Sequence, residues 1–267
     1  QKTAYEIRNC DWSSDVCSSD LMNLSQQSLG RLQCKVFEPS DGNLKPELVV
    51  ILCHGFGAPG EDLVPLGQWM GDQYPELGKR VRFVFPEAPL SLAQMGMPGG
   101  RAWWMIDTEA LQRSIESGDP RDLSQDLPVG MPEASEMVSE LVEQLMETHQ
   151  ISEDRVVLGG FSQGSMVTTD VALRMKNAPG ALIVMSGTLV CEPVWRELSQ
   201  KREMLKILQS HGRQDPILPF EAARALRSLF LQAGFVHQFL PFDGVHSIPE
   251  EVLRASARSE EHTSELQ

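Results

Sequence analysis

The chain has 267 residues, 41% hydrophobic and 22% charged, the balance of an ordinary globular protein. Its 23 Lys and Arg against 37 Asp and Glu give a net charge of -14, which argues against nucleic acid or an anionic membrane surface as the main partner. No apolar run approaches the ~18 residues of a membrane span. Five cysteines at irregular spacings make neither a disulfide framework nor a zinc site.

The two ends read differently from the rest. Residues 12–21 are WSSDVCSSDL and residues 258–267 are RSEEHTSELQ. With one choice of codons, the DNA for the second segment, reverse-complemented and shifted by one base, encodes the first. Selection on a protein does not create such a relation, whereas read-through of a sequencing-library adapter does. Residues 1–7 (QKTAYEI) resemble the outer primer of such a library. The expectation is therefore a single native domain over 22–257, flanked by non-native tails at 1–21 and 258–267. No charged-then-apolar leader follows Met22, and Cys34, Cys53 and Cys191 remain as thiols, which points to the cytoplasm.

From there, short apolar β-branched runs recur at 32–37, 48–53, 81–85, 155–158, 181–185, 205–208 and 237–242. Several are continuous rather than alternating, as in strands buried on both faces. Amphipathic stretches separate most of them. Over 133–149 the residues Met137, Val138, Leu141, Val142, Leu145 and Met146 form one stripe, and over 220–233 Phe220, Ala223, Leu226, Phe230 and Ala233 form another. A third helix is read over 163–176. The alternation predicts an α/β fold: a doubly wound, mostly parallel sheet with helices on both faces. No linker divides it.

One stretch departs from that rhythm. Between Ala88 and Pro132 no strand is evident, and Gly and Pro are dense. So long an irregular connection usually has a functional reason. Residues 91–130 are read as a cap-like insertion. Within it, Met95, Met97, Trp103 and Trp104 are the candidate substrate-binding residues; packing over the sheet edge is the equally open alternative.

Chemistry concentrates where strands end. Gly160-Phe161-Ser162-Gln163-Gly164 lies between a predicted strand and a predicted helix. A serine there sits on a sharp turn with its hydroxyl pointing outward, and glycines two residues away on either side avoid backbone clashes. A serine hydroxyl needs a base, and the base needs an orienting carboxylate. Asp215 follows the strand at 205–208, and His246 follows the last strand, so Ser162, Asp215 and His246 occur in the expected order on post-strand loops. Asp243 is the rival acid. For the developing oxyanion, the loop His54-Gly55-Phe56-Gly57 offers the Phe56 N–H, and the residue after the serine offers the Gln163 N–H. His54 reads as a structural hydrogen-bonding residue, and His211 as the start of a turn.

At these residues a resemblance emerges. His54-Gly-Phe-Gly57, the Gly160–Gly164 block, His211-Gly-x-x-Asp215-Pro and Gly244-x-His246 together resemble the phospholipase/carboxylesterase family of α/β-hydrolases, which includes the acyl-protein thioesterases. The similarity spans 30–255. It implies the α/β-hydrolase fold, Ser162 as nucleophile with Asp215 and His246, and Phe56 and Gln163 as oxyanion donors. Two departures bear on substrate: Ser165 stands where the family usually has a second glycine, and the 88–132 segment is long.

No metal site is read, because Cys and His do not cluster at ligand spacings. The loop Gly55–Gly60 contains Pro59 and is not read as a dinucleotide-binding turn. The expected protein is a cofactor-independent serine hydrolase acting on small-molecule esters or thioesters, with no nucleic acid partner and no stable membrane insertion. The competing classes are a catalytically silent binding protein of the same fold and a serine peptidase.

Overall fold

A computed structural model describes residues 22–39, 45–118 and 122–265. The described strands are β1 (Met22–Leu29), β2 (Leu32–Pro39), β3 (Leu48–Cys53), β4 (Val81–Pro86), β5 (Leu90–Ser91), β6 (Arg101–Ala102), β7 (Val156–Phe161), β8 (Ala181–Met185), β9 (Lys206–Gly212) and β10 (Val236–Phe242). Eight of them form one sheet in the order β1-β2-β4-β3-β7-β8-β9-β10. From β4 to β10 the neighbours are parallel, whereas β1 and β2 join antiparallel at one edge.

The helices are α1 (Val64–Gln73), α2 (Pro75–Gly78), α3 (Thr108–Ser117), α4 (Met131–His149), α5 (Gln163–Arg174), α6 (Glu192–Gln200), α7 (Phe220–Gln232) and α8 (Glu250–Glu265). Strand periodicity divides them into two layers. Along β3, Val49, Ile51 and Cys53 face one way and pack with Val138 and Leu141 of α4, Val167 and Val171 of α5, Trp195 of α6 and Phe230 of α7. Leu48, Val50 and Leu52 face the other way, with Leu66 and Met70 of α1 and Val252 and Leu253 of α8. Each such side chain removed from water contributes roughly 1.5–3 kcal/mol, which is why the central strands are continuously apolar. Gly67 lets α1 lie close to the sheet, since a Cβ there would stand 2.7 Å from the Phe85 ring.

The doubly wound sheet expected from the alternation is present, with differences at its rims. The predicted strands at 155–158 and 205–208 run on to Phe161 and Gly212, through polar and glycine residues that lack the apolar signature. Strand β1 carries no sequence signal because it is an edge strand. From Asn23 its side chains are exposed or half-buried up to the buried Leu29, so neither alternation nor a run marks it. It pairs with β2 around a tight turn at Gly30, whose φ of 56° suits glycine. The expectation of no strand between 88 and 132 is corrected. Strands β5 and β6 pair there as a short hairpin, and α3 follows, capped where the Asp107 carboxylate accepts the Ala110 N–H at 2.8 Å. None of the α3 side chains is buried, so no apolar stripe announced it. Helix α8 continues past Ala257 to Glu265. The tail at 1–21 lies outside the described residues.

The winding sets the location of the site. From β3 the chain passes to β4 on one side, and β7 pairs on the other. Loops leaving the carboxyl ends of β3 and β7 therefore diverge and leave a crevice, the position where doubly wound sheets bind ligands. Among the described residues no helix is long and apolar enough to cross a membrane.

Candidate active site

Ser162 occupies the turn between β7 and α5 with φ 53° and ψ -120°, a conformation uncommon for a residue with a Cβ. The surrounding backbone enforces it. The Ser162 N–H donates to the Met185 carbonyl at 2.9 Å, and the Ser162 carbonyl accepts the Ser165 N–H at 3.0 Å. A Cβ on Gly160 would sit 2.5 Å from the Gly164 carbonyl carbon, and one on Gly164 would collide with the Cys53 carbonyl oxygen. The two glycines thus let the first turn of α5 seat against the end of β3. The Ser165 hydroxyl donates to the Ser162 carbonyl at 2.7 Å.

Asp215 and His246 are brought together from separate loops. The His246 Nδ1 lies 2.6 Å from the Asp215 Oδ2. The other carboxylate oxygen accepts the N–H groups of Ile217 at 2.9 Å and Leu218 at 3.0 Å. Burial by itself would raise the Asp215 carboxyl, but the hydrogen bond and charge of His246, the Leu218 N–H and nearby His211 hold it below the ordinary carboxylate value. The loops are laced to each other: Arg213 donates its N–H to the Phe242 carbonyl at 2.9 Å, and Gln214 to that of Gly244 at 3.0 Å. Gly212 is required at this crossing, because any Cβ would strike the Val245 carbonyl. The Phe161 ring packs against the His246 imidazole, 4.6 Å between centroids.

Asp243 is placed elsewhere. Its side chain is 85% exposed and pairs with Arg213 at 3.3 Å. His211, read from the sequence as a turn residue, is fully buried behind Asp215. Its Nε2 donates to the Leu218 carbonyl at 2.8 Å and stands 3.3 Å from the Asp215 Oδ2. Burial pushes its pKa down.

The loop after β3 is equally well held. His54 Nδ1 meets the Gly55 carbonyl at 2.8 Å, and its Nε2 accepts the Ala88 N–H at 3.1 Å. The structural role read for His54 is the one it fills. Phe56 is half-buried on this loop, and Gln163 is buried as the first residue of α5, where helix N–H groups lack intrahelical partners. Burial pushes the thiols of Cys34 and Cys191 up to about 12 and that of Cys53 well above its ordinary value. Among the described residues, no group of three or more His, Cys, Asp or Glu forms a metal set.

The candidate substrate residues separate into two kinds. Trp103 and Trp104 are 1% and 4% exposed and belong to the core on the α4–α7 side of the sheet, so they offer almost no surface to a ligand. Their burial favours the packing alternative over a pocket wall, and segment 101–104 is hydrogen-bonded to the loop after β3. Met95 is 42% exposed, and Met97 is half-buried with its sulfur beside Gly57. Sequence reasoning missed the side-chain roles of His211, Gln163 and Arg101, because none belongs to a local pattern that encodes a partner elsewhere in the chain.

The chain is similar to known proteins over most of its length. An acyl-protein thioesterase 1 from Debaryomyces hansenii is 29% identical over 220 residues, covering 76% of this chain and 86% of the relative. A probable carboxylesterase from Oryza sativa subsp. japonica is 30% identical over 206 residues, covering 76% and 73%. The crystal structure of esterase PE8 superposes with a TM-score of 0.71 at 24% identity, covering 90% of this chain and 99% of that one. The phospholipase/carboxylesterase family description matches residues 35–262, most of the chain, and the chain belongs to that family.

Proposed function

We propose that this protein is a serine hydrolase that cleaves carboxylic esters or thioesters through an acyl-enzyme formed on Ser162. The observation that carries this reading is the 2.6 Å bond between His246 and Asp215 at the same sheet edge as the strained Ser162 turn. With the Nδ1 proton engaged by Asp215, the His246 Nε2 lone pair is left to act as base.

The chemistry follows from these roles. Ser162 Oγ attacks the acyl carbon as its proton passes to His246 Nε2, and the carbonyl oxygen becomes an oxyanion. The N–H groups of Phe56 and Gln163 stabilise that charge, at the end of a helix whose dipole favours it. Collapse expels the alcohol or thiol, which takes the proton from His246. Water then repeats the sequence on the acyl-enzyme, releasing the acid and restoring Ser162. Asp215 stays ionised throughout and stabilises the imidazolium.

The names of the relatives, an acyl-protein thioesterase and a probable carboxylesterase, support esters and thioesters as the substrate class. The exposed Met95 and the half-buried Met97, whose sulfur lies beside Gly57, are the residues proposed to touch the acyl chain. The buried free thiols Cys34, Cys53 and Cys191 fit a cytoplasmic protein.

A panel of p-nitrophenyl esters and acyl thioesters, with and without a fluorophosphonate probe, tests the reading. The wild-type chain should turn over members of the panel and be labelled on Ser162. Ser162→Ala should lower turnover by at least about a thousandfold and abolish labelling. A folded wild-type chain that neither reacts with the probe nor hydrolyses the panel would make it a silent binding protein.

A further inference from the structure

The side chain of Gln163 does something its backbone role does not require. Its Oε1 accepts the Trp103 N–H at 2.9 Å, and its Nε2 donates to the Trp104 carbonyl at 2.9 Å. The amide is thereby engaged through both its oxygen and its nitrogen by one short segment, which fixes its orientation. The same segment reaches the loop that carries the other proposed oxyanion donor. The Trp103 indole Nε1 donates to the His54 carbonyl at 2.9 Å, two residues before Phe56. Arg101 pairs with the loop on its far side: its carbonyl accepts the Gly57 N–H at 2.9 Å, and its N–H donates to the Ala58 carbonyl at 3.0 Å. The Arg101 guanidinium is anchored in turn by the Ala88 carbonyl at 2.8 Å and by Glu87 at 3.1 Å.

Phe56 and Gln163 stand on different elements, and nothing in either local sequence sets the distance between them. Segment 101–104 is hydrogen-bonded to the Gln163 side chain and, on either side of Phe56, to His54, Gly57 and Ala58. We propose that segment 101–104 is a brace that sets the spacing of the two oxyanion donors, with Trp103 and the Gln163 side chain as its positioning residues. This rests on the hydrolase reading above. Trp103 touches no reacting atom. It acts through the His54 carbonyl and the Gln163 amide, and both bonds are buried, where a fixed dipole is held most firmly. A loosened brace lets the Phe56 N–H drift from the oxyanion, which costs transition-state stabilisation and leaves ground-state binding alone.

The test compares two variants that each lose one buried indole hydrogen bond. Trp103→Phe removes the bond to the His54 carbonyl. Trp195→Phe removes the bond from the α6 indole to Asp170, 2.9 Å long and away from the oxyanion loop. Both are measured in the full chain for melting temperature, kcat and KM on one ester, and affinity for a trifluoromethyl ketone. That ketone adds Ser162 Oγ to its carbonyl carbon, passes the serine proton to His246, and leaves an oxyanion in the hole.

Trp103→Phe should lower kcat about 10- to 100-fold with KM within about twofold, and weaken ketone affinity by a similar factor, part of the loss expected from removing a donor outright. Trp195→Phe should lose melting temperature and keep kcat within about twofold. If Trp103→Phe does not fold, Gln163→Met carries the same expectation, since it drops both amide bonds and keeps the backbone N–H. Either variant folding with wild-type kcat and wild-type ketone affinity would overturn the brace. An inactive wild-type chain would instead sink the hydrolase reading, so the two failures are told apart.

Discussion

Asp215 and His246, 31 residues apart in sequence, share a 2.6 Å hydrogen bond, whereas Asp243, three residues before His246, points into solvent toward Arg213. Distance along the chain is a poor guide to the acid because the bond forms between two loops laced at the ends of β9 and β10. Asp215→Asn should lower kcat on the order of a thousandfold or more, because the amide no longer fixes the imidazole tautomer. Asp243→Asn should stay within about twofold. Steady-state turnover of one ester by both variants decides it, and equal losses would remove Asp215 from its proposed role.

Acid stability should carry the signature of a histidine away from the site. His237 Nε2 lies 2.8 Å from the Gln209 Oε1, and burial, with the Arg227 charge adding, pushes its pKa from 6.5 down to about 4. Between those values the unfolded chain binds a proton that the native chain refuses, so stability falls as pH drops through that window. The neutral His149 and His211, also pushed down by burial, add to the same slope. Asp215 acts lower: held below its ordinary 3.8, it contributes above that value and loses its effect as pH falls through its depressed native pKa. His237→Gln should flatten the loss between pH 6.5 and 4, by on the order of 1 kcal/mol once solvent screening of this partly exposed ring is allowed for. Urea midpoints at pH 7, 5.5 and 4.5 measure it; an unchanged slope would mean that native His237 protonates freely.

The 88–132 segment divides into core and surface. Trp104→Ala should destabilise by about 3–5 kcal/mol, the cost of emptying a fully packed aromatic site, and lower activity on short and long esters alike. Met97→Ala, beside Gly57, should leave stability within about 1 kcal/mol and raise KM for long acyl chains more than for acetyl esters, since each lost CH₂ contact is worth roughly 0.8 kcal/mol. A chain-length series on both variants separates the cases. Met97→Ala with an unchanged series would leave the acyl chain without a proposed contact there.

Trimming the ends tests the domain limits read from the sequence. Val252, Leu253, Ala255 and Ala257 are buried in the α1–α8 core. A chain of residues 22–257 should therefore melt within about 2 °C of the full chain, the shift produced by less than ~1 kcal/mol at this size. Ending at 251 instead removes those side chains and should cost well over about 5 °C, or folding itself. A large loss on trimming to 22–257 would show that residues outside those limits pack onto the domain.

Local physical chemistry is legible in the sequence wherever a residue answers to its own neighbours. The continuous runs of β3 and β8 declare strands buried on both faces, the α4 stripe declares its core side, and the glycines around Ser162 declare a turn that tolerates no Cβ. Even the loop assignments of Asp215 and His246 follow, because each stands just past a strand. What β9 lies beside, and therefore which carboxylate meets His246, depends on sheet order, and sheet order is set by packing among elements far apart in the chain. The tryptophans show the same divide. Trp103 and Trp104 read as apolar and irregular in either role, and only their tertiary packing among α4–α7 side chains made them core. Likewise the Gln163 amide has no preferred partner until folding brings 103 and 104 within 2.9 Å, where burial makes an unpaired amide too costly to leave unmade.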